Sequence, residues 1–115
     1  MKKFSLTALS RQQLSLAKGG RSAHTVYGGH EHVLRQTLIA LDAGQQLNEH
    51  ENPGEATIQV LQGRVRLVTS DDHWDGAPGD LLIVPDCRHS LEAVESSVVL
   101  LTVAKLLRSE PPKEG

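Results

Sequence analysis

An all-β barrel or sandwich preceded by one short helix is the fold class this sequence predicts. Three observations lead there. From residue 21 onward, eight or nine short apolar runs alternate with clusters of Gly, Pro, Asn and Asp at close spacing, the pattern of short strands separated by turns. Helical spacing of apolar residues occurs only near the start, over residues 5–18. Two blocks, 44–63 and 79–89, are each opened by a glycine, which favours a double-sheet jelly roll over an immunoglobulin-like sandwich or an up-and-down barrel. The sandwich is further disfavoured because a single cysteine, Cys87, cannot supply the pair that flanks a core tryptophan in that fold.

The elements follow in chain order. Leu6, Leu9, Leu14 and Ala17 recur at roughly helical spacing, Ser5 or Thr7 can cap the start, and Gly19-Gly20 ends the run. This predicts an amphipathic helix over 5–18 lying outside the domain. Strands are predicted at 22–27 and 33–41, separated by the turn Gly28-Gly29-His30-Glu31. Residues 44–63 suggest a hairpin turning at Pro53-Gly54, and 65–69 should pair back across Gly63. A short strand at 73–74, a buried run at 81–84, a strand at 89–94 and an apolar last strand at 98–105 complete the set. The division is an N-terminal segment at 1–20, one β domain at 21–106, and a polar, proline-bearing tail at 107–115 that is expected to be disordered.

Composition narrows the function classes. A chain of 115 residues is one domain, and by size scaling it buries about 65% of its unfolded surface. Aromatic residues make up only 3%, so aliphatic side chains must fill the core. The net charge of −2 gives no basic footprint and argues against nucleic acid as a partner. No apolar run is long enough to span a membrane, and no apolar stretch follows Met1-Lys2-Lys3 as in a signal peptide. One cysteine excludes an internal disulfide and fits a reducing compartment, so a cytoplasmic location is expected. Residues 98–101, Val-Val-Leu-Leu, are apolar on both faces of a strand and need cover on both sides; a homodimer is the expected source of that cover.

The glycine-anchored blocks also resemble a known family. In 44–63, Gly44, His50 and Gly63 fall in register with the first motif of the cupins, a family of small jelly-roll barrels that includes the RmlC-like proteins. Gly79-Asp80, the apolar residues that follow, Pro85 and His89 resemble the second motif. The resemblance covers about residues 33–104 and implies a cupin-type double-stranded β-helix with a short N-terminal helix. It further implies a metal site made by two histidines and a carboxylate from the first motif and one histidine from the second. Here Asn52 stands where the second histidine belongs and Ala56 where the glutamate belongs, while Cys87 replaces a glycine and the second motif is one residue shorter. Both motifs are degenerate.

The candidate site follows from strand periodicity, since alternate residues share a face. His50 and Asn52 lie on one face, and Ala56, Ile58 and Val60 continue it inward, leaving Glu55, Thr57 and Gln59 outside. His89 opens its strand and shares a face with Leu91. The expected ligand cavity is therefore lined by His50, Asn52, Ala56, Ile58, Val60, His89 and Leu91. His50 and His89 are the candidate metal ligands, with Asn52 or Glu55 as a weak third; Glu55 reaches the interior only after a one-residue shift at the turn. Two imidazoles and an amide make a thin set for Fe, Ni, Mn or Zn. The bland counterpart is a hydrogen-bonded polar pair in an apolar cavity.

His30 and His32 form a second His-x-His at a turn, where solvated polarity is the plain explanation, and His24 and His73 stand apart. Cys87 is next to Arg88, a neighbour that favours thiolate, but spacing gives it no general base. Two functions of different classes remain open. One is a binding module holding a small organic ligand without chemistry; the other is a metal-dependent enzyme, dioxygenase-, isomerase- or decarboxylase-like, built on His50 and His89. A metal-free variant with one histidine as acid–base catalyst is also allowed.

Overall fold

The computed structural model describes residues 2–50 and 54–105, leaving aside the side chains at 49, 50 and 54. Its order is α1 (Leu6–Leu16), β1 (Arg21–Gly28), β2 (Leu34–Leu41), β3 (Gln46–His50), β4 (Gly54–Gln62), β5 (Val65–Val68), β6 (His73–Gly76), β7 (Leu81–Ile83), β8 (His89–Ala93) and β9 (Ser97–Lys105). The strands form two antiparallel sheets, one ordered β1-β2-β9-β4-β7 and the other β3-β8-β5-β6. Two facing sheets between which the chain repeatedly crosses make the predicted jelly roll. The tail expected at 107–115 lies outside the described residues.

That crossing corrects two expectations. Residues 44–63 do not form a hairpin: β3 pairs with β8, whereas β4 pairs with β9 and β7 in the other sheet. Nor does β5 pair back onto β4 across Gly63; its partners are β6 and β8. Glycine and proline signals show where the chain reverses, not whether the flanking strands share a ladder. Gly63 itself has φ of +82°, and an added Cβ would collide with the Ser96 carbonyl and Ser97. The tight turn there carries the chain from one sheet to the other.

Between the sheets, Ile39, Leu41, Ala56, Ile58, Val60, Val65, Leu67, Leu91 and Val99 pack as the inner core. Alternation decides membership on β8, where His89, Leu91 and Ala93 are buried and Ser90 and Glu92 only partly so. Strand β7 enters through the predicted Gly79-Asp80 turn. Gly79 has φ of +94°, and the Asp80 carboxylate accepts the Ala77 N–H at 2.8 Å. The backbone of this turn bonds to Val60 in both directions, at 2.8 and 2.9 Å.

A second cluster lies on the outside of the five-stranded sheet. Leu38, Ala40, Val98 and Leu100 are buried there beneath Leu6, Leu9, Leu14 and Ala17 of the N-terminal segment. The Ser5 hydroxyl caps α1 by accepting the Ala8 N–H at 3.2 Å. The second face of residues 98–101, assigned above to a partner subunit, is covered by the chain's own helix.

Asp42 fastens the end of this segment to the barrel. Its carboxylate accepts the Gly19 N–H at 2.7 Å, the Ala43 N–H at 3.0 Å and the Ser96 hydroxyl at 2.6 Å. These bonds, the Ser96 hydroxyl first, hold its pKa below the ordinary 3.8. A carboxylate with a depressed folded-state pKa stabilises fully above its unfolded value and loses that contribution as pH falls through the folded one. The Asp42→Asn variant is therefore expected to melt below the parent at pH 6, with the gap closing under acid below pH 3.8. Parallel melting curves of the two proteins across that range test it; a gap that persists at acid pH rules out the carboxylate as its cause.

Candidate functional site

A cavity of ≈ 120 Å³ opens between the two sheets. Its walls are aliphatic: Ile39 from β2, Leu47 from β3, Ile58 from β4, Leu91 from β8, and Val99, Leu101 and Val103 from β9, with Val84 beyond β7. Two polar side chains interrupt them, His89 and Arg35.

His89 is 3% exposed, and its Nδ1 lies 2.8 Å from the Cys87 carbonyl oxygen. A carbonyl only accepts, so Nδ1–H donates, which fixes the ring orientation and assigns the basic nitrogen of the neutral ring to Nε2. Opposite it, a bulge decides what faces what. Leu47 pairs with Leu91, but three residues on, His50 pairs with His89, only two residues from Leu91. Strand β3 thus contains one extra residue, and the bulge places position 50, not 49, opposite His89. Directly opposed positions bring their Cβ atoms to about 4.5–5.5 Å.

The other expected site residues distribute as follows. Ile58 and Leu91 line the cavity with His89. Ala56 and Val60 are buried in the same core but do not border the open space. Glu55 is exposed, on the opposite face of β4 from Ala56. Asn52 lies outside the described residues. His24, His30, His32 and His73 are exposed and do not line this cavity. His32 stacks edge-on against Tyr27, with ring centroids 5.6 Å apart. Cys87 is exposed, and its carbonyl, not its thiol, serves His89. Among the described residues, no three His, Cys, Asp or Glu side chains gather closely enough to hold a metal ion. Among the described residues the cavity's metal-ligand types amount to one imidazole, His89, with Ala56 where the family motif carries its carboxylate; the His50 side chain lies outside the described residues.

Sequence reasoning missed Arg35. It stands at the start of β2, opposite Val103 of β9, on the face that Ile39 and Leu41 carry into the core. The signal was present: alternate positions 35, 37, 39 and 41 read Arg, Thr, Ile, Leu, a charge heading an inward-facing stripe. Lys105, two residues beyond Val103 on β9, donates from Nζ to the Gly29 and His30 carbonyls at 2.9 and 3.0 Å.

The fold and cavity together define a small jelly-roll barrel with an interior sized for a small molecule. Comparison with solved structures gives that class its name. A conserved protein of unknown function from Streptococcus pyogenes is similar at 29% identity and a TM-score of 0.67, covering 74% of each chain. An RmlC-like cupin from Desulfovibrio desulfuricans shares 26% identity over 76% of this chain and 84% of its own, with a TM-score of 0.65. A cupin superfamily protein from Desulfitobacterium hafniense shares 20%, covers 74% of this chain and 77% of its own, and gives a TM-score of 0.68. No family profile matches the sequence, and no curated protein matches it significantly. The fold is the cupin fold. No helix among the described residues is long and apolar enough to cross a membrane.

Proposed function

We propose that the protein is a binding module that holds a small organic molecule in the barrel cavity and performs no chemistry on it. The observation that supports this best is the wall itself: aliphatic side chains, one described imidazole, and Ala56 where the family places its carboxylate. A comparably apolar cavity of about 150 Å³ takes up a benzene-sized molecule, whereas drug-sized ligands need some 300–1,000 Å³. At ≈ 120 Å³ the ligand is small. A cytoplasmic location and a homodimer belong to the same proposal. With β9 covered by the helix, the surface for a second copy is the edge strand β7, whose Leu81 and Ile83 are well exposed beside unpaired backbone groups.

A second proposal, a metal-dependent enzyme using His50 and His89 with Fe, Ni, Mn or Zn, draws on the register that opposes those two positions. The bond from His89 Nδ1–H to a carbonyl is also how ligating imidazoles are commonly oriented. Metal content and melting temperature of the purified protein separate the two. The binding module should carry only traces of metal and melt at the same temperature with and without excess chelator. Stoichiometric metal that is lost on His50→Ala would make the enzyme proposal the better one.

A further inference from the structure

Among the described residues the ion pairs are Arg64–Glu95 and Arg66–Asp75. Arg35 belongs to neither, although it borders an otherwise aliphatic cavity. It has Lys105 on the same face, diagonal to it across the β2–β9 ladder, and diagonal positions lie within reach of long side chains. Lys105 spends its ammonium on two backbone carbonyls of the turn after β1, which leaves its positive charge uncompensated by any carboxylate in those contacts. Glu55, the nearest acidic residue on β4, is on the outer face. Arg35 is thus the cation bordering the cavity, and the chamber beside it is lined by Ile39, Leu91, Val99 and Leu101.

We propose that this cavity selects small carboxylic acids: the carboxylate sits on Arg35 and a short hydrocarbon body fills the aliphatic chamber. The inference rests on the binding-module proposal and specifies its ligand. A planar guanidinium matches a carboxylate with two parallel hydrogen bonds. Because Arg35 is exposed, it meets the ligand without leaving a buried, unpaired charge in the empty protein. An uncharged analogue of the same shape fills the chamber equally well but lacks the ionic contact.

The test is calorimetric titration of the full chain with hexanoate and, separately, hexanamide. Hexanoate should bind more tightly. Arg35→Gln should weaken hexanoate about tenfold, the loss expected for one charge-assisted contact, while leaving hexanamide nearly unchanged. Arg35→Lys should recover part of the loss. Melting temperatures of both variants, expected to match the parent because Arg35 is exposed, guard against a folding artefact. If hexanamide binds as well as hexanoate, or Arg35→Gln leaves hexanoate unaffected, the carboxylate inference falls and the binding module stands. If neither probe binds at millimolar concentration, both fall.

Discussion

Asn52→His combined with Ala56→Glu is expected to yield a protein whose stability depends on a divalent metal, whereas the parent is expected to melt alike with metal and with chelator. The substitutions restore the residues that the cupin motif carries at those two positions, beside His50 and His89. Ala56 is 6% exposed and sits opposite Val103 in an aliphatic environment. Ala56→Glu alone should therefore cost several kcal/mol, because a carboxylate without a partner is driven into the core. That is a large share of the 5–15 kcal/mol typical of a domain. With both substitutions in place, metal at a hundred times its dissociation constant returns about 2.7 kcal/mol, and at a thousand times about 4.1. Melting curves of the single and double variants, each with zinc or manganese and with chelator, check this. A double variant indifferent to metal would mean that positions 52 and 56 do not converge with the two histidines.

Removing residues 2–18 is expected to have an effect of similar size, by a different route. Leu38, Ala40 and Val98 are fully buried only because α1 and its flanks cover them. Each large aliphatic side chain returned to water forfeits about 1.5–3 kcal/mol. The truncated barrel should lose roughly 10 °C or more in melting temperature or hide the exposed face by associating with itself. Light scattering alongside the melts separates these outcomes. The same measurement on the intact chain reports whether the homodimer proposed through β7 forms. A truncated chain with the parent's melting temperature and mass would show that the helix contributes little.

Much of the fold was legible because aliphatic periodicity and glycine placement are local signals. The helix was expected over 5–18 and spans Leu6–Leu16, with Ser5 as its cap. The alternation on β4, Ala56, Ile58 and Val60 against Glu55 and Gln59, is visible in six consecutive letters and matches the burial. Pairing was not legible. Whether β4 lies beside β3 or beside β9 depends on which distant apolar stripe meets it across the core, and no turn residue encodes that. Arg35 was missed for a related reason: one charge at the head of a strand looks like ordinary surface until Val103 is placed beside it. Residues 98–101 were rightly seen as needing cover on both faces, but the covering helix lies some eighty positions earlier in the chain.

The extra residue in β3 separates distance along the chain from position in space. A strand without it would present residue 49 to His89; with it, residue 50 arrives there. A chain shorter by one residue between Leu47 and His50 would straighten the ladder and still deliver the same histidine to the same neighbour. Two homologues could thus differ in motif length here while keeping an equivalent histidine pair, and two with identical spacing could differ in which residue the strand turns toward its partner. For this stretch, counting letters between landmarks is a poor measure of kinship in the site; the phase of the strand against β8 is the better one.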